Sequence, residues 1–306
     1  MNSPNAAPQT APQSDSSPDT AQPRRQLRLL SYNIHRGIGR DGVYDLNRIL
    51  AVVRANRPDL VTLQEVDNGI SRSGYDDQAR LIASSLDMDY CYGVTKNVED
   101  GQYGVATFSR FPILASRSTD ISANKRWEPR TVMRTDLDLG EGRRMHLFNV
   151  HLGLRTRERF RQQRMLLSRA ILFDKGLHNP IAIMGDFNDR PLPVVHPQFR
   201  RHFRDAYHLA GTGRRSTFRF GPVKYSLDYI YVNRDLRPIR TFIVRDPLAQ
   251  MASDHLPIVS DVRVTFSEKG ESNPLPVSRR LGLKKFSPRR FLRESQLRNK
   301  KEGDRS

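Results

Sequence analysis

Six short segments of the 306-residue chain carry side chains suited to shared chemistry: Ser31-Tyr32-Asn33, Gln64-Glu65-Val66, Asn149-Val150-His151, Gly185-Asp186-Phe187-Asn188, Leu227-Asp228-Tyr229 and Ser253-Asp254-His255. Each puts an acid, an amide or an imidazole inside or at the end of an apolar, strand-like run. A buried carboxylate without a partner is costly. Several at strand ends therefore point to a shared cation. Hard oxygen ligands suit Mg²⁺, which often takes only one or two protein carboxylates. The chemistry open to such a set is metal-assisted attack of water on a phosphoester.

Each residue has its own reading. Asn33 offers a carbonyl oxygen to a metal or an amide that orients a ligand carboxylate; a bland alternative is the start of the turn at Gly37 and Gly39. Strand alternation puts Glu65 on one face with Val61 and Leu63, and Gln64 on the other with Leu60 and Thr62. Asp186 emerges where the apolar run Ile181-Ala182-Ile183-Met184 ends, the place where α/β sites gather. It is suited to orienting or deprotonating a water, with Asn188 steadying that water or a phosphoryl oxygen. Asp228 alternates with Ile230 and Val232, so it needs a cation or a histidine. His255 is the natural partner, since a carboxylate on one ring nitrogen fixes the tautomer and raises basicity. Asp254 beside it is read as completing the metal environment through water. His151 is placed to contact a phosphoryl oxygen or protonate a leaving alkoxide. Arg130, in Trp127-Glu128-Pro129-Arg130, is a candidate for phosphate but is better read as part of a surface loop. Arg155 is a second phosphate candidate. His35 and His146 are read as structural.

These residues need strands to hold them. Strands are predicted at Leu27–Ile34, Leu60–Val66, Tyr103–Phe108, Thr131–Leu137, Met145–His151, Pro180–Asp186, Ser226–Val232, Arg237–Val244 and Pro257–Val264. Helices are predicted from Asp45, a possible N-cap, to Asn56, where Arg57-Pro58 breaks the run, and over Asp76–Leu86. The longest helix is predicted from Thr156 to about Gly176. Its Arg157, Arg161, Arg164 and Ser168 share one sector, read as a solvated face. Leu166, Leu167, Ala170 and Phe173 form an apolar face expected to dock on a sheet. Specificity is expected in the segments around 117–130 and 194–221.

Composition bounds the rest. Residues 2–26 hold no Val, Ile, Leu, Met, Phe, Tyr or Trp and five prolines, so residues 1–26 are expected to be a disordered tail. That tail lacks the apolar core of a secretory signal. Residues 27–266 read as one continuous domain, and 267–306 as a basic, flexible tail. One cysteine, Cys91, excludes an internal disulfide framework and fits a reducing compartment, hence a cytoplasmic expectation. The net charge is +18. Residues 24–266 carry 39 basic and 26 acidic side chains, so the body is basic in its own right. Such a field favours nucleic acid, anionic lipid or phosphorylated substrates. The tail interleaves Arg and Lys with Leu and Phe, which is suited either to nucleic acid or to peripheral contact with an anionic membrane.

Together, Ser-Tyr-Asn, Gln-Glu-Val, Gly-Asp-Phe-Asn and Ser-Asp-His resemble the endonuclease/exonuclease/phosphatase superfamily, the deoxyribonuclease I-like fold, over residues 27–266. The resemblance implies an α/β protein with two packed mixed β-sheets flanked by helices, a four-layer α/β/β/α sandwich with its site at one end. It implies that Asn33 and Glu65 hold Mg²⁺ or Mn²⁺, that Asp186 aligns the nucleophilic water with Asn188 beside it, and that Asp228 and His255 pair at the scissile phosphate. The inositol 5-phosphatases of this group have Trp-Cys-Asp-Arg where this chain has Ser226-Leu227-Asp228-Tyr229, which argues against that activity. A nuclease or phosphodiesterase is the leading expectation. Hydrolysis of a lipid headgroup or small phosphoester at an anionic membrane is the alternative, and a non-catalytic binding module is a third. No protein partner is implied.

Overall fold

The structure, a computed structural model, describes residues 26–98, 100–190 and 193–265. Residues 1–25 and 266–306, along with Glu99, Pro191 and Leu192, lie outside the described residues, and the expected tails fall there apart from Gln26, which opens the first strand. In chain order the strands are β1 (Gln26–Asn33), β2 (Leu60–Asn68), β3 (Asp89–Val98), β4 (Gly101–Ser109), β5 (Ile113–Asp120), β6 (Thr131–Asp138), β7 (Arg144–His151), β8 (Ile181–Asp186), β9 (Arg204–Asp205), β10 (Phe218–Phe220), β11 (Val223–Tyr225), β12 (Asp228–Val232), β13 (Leu236–Ile243) and β14 (Ile258–Val264). The helices are α1 (Leu46–Asn56), α2 (Gln78–Leu86), α3 (Thr156–Leu166), α4 (His196–Phe199), α5 (Ala206–Ala210) and α6 (Pro247–Ala252).

Local chemistry accounts for the helix ends. Asp45 caps α1 by accepting from Asn47 N–H at 3.0 Å, and Asp77 caps α2 by accepting from Arg80 N–H. Arg57 closes α1 in a left-handed conformation, since the residue before Pro58 is disfavoured in the helical region. Along α1, Leu46, Ile49, Leu50 and Val53 are buried, the i, i+3, i+4, i+7 stripe of a docked helix.

Among the described residues the strands form two six-stranded sheets, ordered β13-β14-β1-β2-β4-β3 and β5-β6-β7-β8-β12-β9, plus the β10-β11 hairpin. Both large sheets are mixed. β1 runs parallel to β2 and β7 parallel to β8, each pair joined through a helix, while their other neighbours are antiparallel. Three apolar layers result. Helices α1, α2 and α6 cover the outer face of the first sheet. α4, the end of α3 and the chain after it cover the second. Leu27, Leu29, Leu60, Met145, Leu147, Ala182, Met184, Ile230, Val232 and Val262 meet between the sheets. This is the four-layer sandwich that the sequence led us to expect.

Two expectations need correction. The third helix stops at Leu166, about ten residues short of Gly176. Ala170 is exposed beyond it, so the apolar helix face drawn through Ala170 and Phe173 does not exist. The face that α3 buries is polar: Glu158, Arg159, Gln162 and Gln163, with Leu166 at its end. The exposed arginines 157, 161 and 164 do form its solvated side.

Candidate active site

The inter-sheet layer changes character toward one end. On β1, Leu27 and Leu29 give way to Ser31 and Asn33 on the same face. On β2, Leu60 gives way to Thr62 and Gln64. On β7, Met145 and Leu147 give way to Asn149 and His151; on β8, Ala182 and Met184 give way to Asp186. β12 runs antiparallel to β8, so its polar end comes first, with Asp228 ahead of Ile230 and Val232. Register finishes the alignment: His151 pairs with Asp186 and Asp186 with Asp228 across three adjacent strands. Gly185 allows the close approach, because a Cβ there would sit 1.8 Å from the Val150 carbonyl oxygen.

Two amides lie beneath this row. Gln64 Nε2 donates to Asn149 Oδ1 at 2.8 Å, and Asn149 Nδ2 donates to the Ala106 carbonyl at 2.8 Å. They bind one sheet to the other under the site. Both lie in segments noted in the sequence, although neither was assigned a role there.

Asp186 is the hub, 1% exposed. Its Oδ2 accepts from Asn33 Nδ2 at 3.1 Å and from Asn188 Nδ2 at 3.1 Å, and its Oδ1 accepts from Asn188 N–H at 2.9 Å. Asn33 Nδ2 also donates to Glu65 Oε1 at 3.1 Å, while Asn33 Oδ1 accepts from His35 N–H. The amide of Asn33 thus ties two carboxylates together.

Glu65 reaches the site by a route that alternation did not foresee. A bulge interrupts the pairing of β2 with β4 between Gln64 and Val66, and Glu65 sits there at φ 57°. Val66 then takes the place on the Val61 and Leu63 face, and the carboxylate turns to Asn33. A left-handed non-glycine residue within a strand is strained, and bulges often re-aim side chains beside active sites.

On the other side of Asp186, His255 Nδ1 lies 2.9 Å from Asp228 Oδ2, and its Nε2 lies 3.8 Å from Asp186 Oδ2. Ser253 steadies this arm. Its hydroxyl donates to the Asn33 carbonyl at 2.8 Å and accepts from His255 N–H. Burial alone would lower the His255 imidazole pKa, but the Asp228 and Asp186 carboxylates outweigh it and raise the value to about 10. Asp186 is pushed up to about 7, chiefly by burial, with the Asp228 charge adding to the shift and His255 opposing it. His151 Nε2 is 3.6 Å from Asp186 Oδ2. Burial, with the positive charges of Arg130, His255 and Lys96, holds its imidazole well below the usual histidine value.

The remaining candidates fall around this centre. Asp254 is half-buried and contacts Ser253 Oγ at 3.5 Å; no hydrogen bond joins it to Glu65 or Asn33. Arg130 is 3% exposed, which overturns the surface-loop reading. Its Nε donates to the Leu152 carbonyl next to His151, and its Nη1 pairs with Glu128 at 2.6 Å. Arg155 is exposed at the N-terminus of α3, its guanidinium 5.5 Å from the Trp127 ring centre. His146 is bonded to Asp136 at 2.7 Å away from the site, in keeping with a structural role.

Sequence reasoning missed the brace behind the loops that carry the candidate site. Arg159 and Asp189 form an ion pair at 3.2 Å with both side chains fully buried. Arg159 also donates to the carbonyls of Leu154 at 2.6 Å and Arg190 at 2.5 Å, and Gln162 accepts from Gly153 N–H. These contacts fasten the loop after His151 to the loop after Asn188. The usable signal was Glu158, Arg159 and Gln162 at helical spacing.

The residues fit a hard divalent cation. Ligand atoms of Asp186, Asp228 and His255 lie within 4.8 Å of one another, Asp228 Oδ1 is buried without a hydrogen-bond partner, and Glu65 is linked to the cluster through Asn33. Excess buried carboxylate of this kind wants positive charge.

The fold and its polar end define a class. The sequence pattern of the Endonuclease/Exonuclease/phosphatase family matches residues 30–255, and the chain belongs to that family of phosphoester hydrolases. YbhP of Escherichia coli strain K12, an uncharacterized protein, is 27% identical over 246 residues, covering 76% of this chain and 85% of YbhP. Human Nocturnin is 27% identical over 259 residues, and the match covers 73% of this chain but 59% of Nocturnin's length. Among solved structures, an endonuclease/exonuclease/phosphatase from Beutenbergia cavernae superposes with a TM-score of 0.65 at 22% identity, covering 79% of this chain and 72% of the other. A mannosyl-6-phosphatase from Bacteroides thetaiotaomicron gives 0.62 at 19% identity, covering 77% and 99%. Identities this low carry the fold alone.

Proposed function

We propose that the protein is a divalent-metal-dependent phosphodiesterase, most simply a nuclease, that cleaves by direct attack of water on phosphorus. The observation that carries this reading is the convergence of Asn33 and His255 on the buried Asp186 carboxylate, with Glu65 joined to it through Asn33 and Asp228 through His255. Glu65, with the Asp186 carboxylate joined to it through Asn33, would hold a divalent cation such as Mg²⁺ or Mn²⁺, which would supply charge stabilisation at a phosphoryl or leaving oxygen.

The chain's own groups divide the remaining work. Asp186 is the carboxylate with a pKa near neutrality, so it takes the proton from the attacking water. Asn188 donates to both of its oxygens and fixes its plane. His255 stays protonated on Asp228 and presents positive charge where negative charge develops. His151 stays neutral and hydrogen-bonds a phosphoryl oxygen or the leaving group. The basic body favours a polyanionic backbone over a small phosphoester. The sulfate bound by the Nocturnin catalytic domain, a neighbour at TM-score 0.63 and 23% identity covering 79% of this chain and 96% of that one, is consistent with an anion site on this fold.

The test is turnover of plasmid DNA, RNA oligomers, bis-p-nitrophenyl phosphate, sugar phosphates and phospholipid vesicles, in Mg²⁺ and in EDTA. Cleavage of nucleic acid and of the model diester in Mg²⁺ alone supports the reading. Turnover confined to phosphomonoesters or lipids would overturn the nuclease assignment.

A further inference from the structure

We propose that Arg190 is an anchor for the phosphate next to the one being cut, a subsite that makes the enzyme prefer substrates with consecutive phosphates; this rests on the phosphodiesterase reading above. Arg190 lies two residues beyond Asn188. Its main chain is fixed at the rim of the site: the N–H donates to the Asn188 carbonyl at 2.8 Å, and the carbonyl accepts from Arg159 at 2.5 Å. Its guanidinium stands over two rings, 5.3 Å from the centre of Phe218 and 4.9 Å from that of Tyr225. Those residues are paired directly across the β10-β11 hairpin, so they present one aromatic face. Phe218 in turn packs 4.8 Å from the His255 ring and bridges to the His255 backbone. A single ring therefore separates the Arg190 guanidinium from the catalytic imidazole.

Charge sets this arginine apart from its neighbours. Arg130 pairs with Glu128, Arg159 with Asp189, and Arg200 and Arg215 with Asp205. Among the described residues no carboxylate pairs with Arg190. Its rotamer freedom is already restricted by the two rings, and its fork of donors matches phosphate oxygens. The reacting phosphate is served by His255, His151 and the cluster around Asp186, so the anion within reach of Arg190 is the adjacent one. A substrate with a single phosphate would leave it idle.

The experiment compares a thymidine trinucleotide, which has two internucleotide phosphates, with bis-p-nitrophenyl phosphate, which has one, for the full chain in Mg²⁺. Arg190→Gln should raise KM for the trinucleotide roughly tenfold, the size of a lost charge-assisted contact, with little change in kcat and no change on the model diester. Arg190→Lys should fall between, keeping the charge without the fork. Tyr225→Leu should give a smaller KM increase, because it removes only the platform. Equal losses on both probes, no loss on either, or a wild-type enzyme that cuts the model diester but not the trinucleotide would each overturn the subsite. Failure of the wild type on both probes would overturn the phosphodiesterase reading itself.

Discussion

Asp186 stands between two kinds of neighbour. Amides from Asn33 and Asn188 orient it, and His255, braced by Asp228, supplies the nearest positive charge. Asp186→Asn keeps the shape and removes the base, so kcat should fall by about a thousandfold with the melting temperature not lowered; single-turnover rates and thermal melts check both halves. The raised pKa also has a consequence for stability. In the unfolded chain Asp186 ionises near 3.8, and burial in the folded, metal-free protein pushes it up to about 7. The folded state therefore holds this proton more tightly, and the stability it contributes is full below about pH 4 and is lost as pH rises toward 7. Melts in EDTA across that window should show the wild type losing stability relative to Asp186→Asn as pH rises. Added divalent cation should restore stability at pH 7.

At the scale of elements, two devices place the catalytic groups, and both act through the backbone. The β2 bulge holds Glu65 at φ 57°, a conformation costing about 1–2 kcal/mol in a non-glycine residue. Glu65→Gly should relieve that strain, so stability should hold or rise while turnover collapses. A large loss of stability in denaturant titrations would show that the bulge is not strained. The second device is the Arg159–Asp189 pair beneath the loops after β7 and β8. Arg159→Met strands a buried carboxylate and should cost about 3–5 kcal/mol, measurable as a shift in the urea midpoint. Sequence reading reached the strand ends because an apolar run that stops at Asp, Asn or His is visible in one dimension. It could not see the bulge, since alternation carries no mark of one extra residue. It missed the edge strands β3 and β5 because their exposed, mixed composition lacks a buried face. It misjudged Arg130 and passed over Arg159 because arginine is by default a surface residue, and only tertiary contacts with carbonyls and carboxylates reverse that.

At the scale of the whole molecule, one end of the sandwich holds a concentration of carboxylates within a chain of net charge +18. That contrast suits a polyanionic substrate drawn in by the body and neutralised locally by a cation at the site. Binding of an oligonucleotide by the Asp186→Asn variant should weaken steeply with salt, with a log–log slope reporting several phosphate contacts; a flat dependence would point to a small phosphoester instead. Among the described residues no helix is long and apolar enough to cross a membrane. The claim beneath all of this is that Glu65, joined through Asn33 to Asp186, belongs to a site that binds a divalent ion the reaction needs. Titrating Mg²⁺ into the metal-stripped protein while following cleavage of bis-p-nitrophenyl phosphate tests it most directly, with Glu65→Gln alongside the wild type. We expect no turnover in EDTA, saturable recovery with Mg²⁺, and a midpoint at least tenfold higher in Glu65→Gln. Turnover that ignores EDTA, or the same midpoint in both proteins, would contradict it.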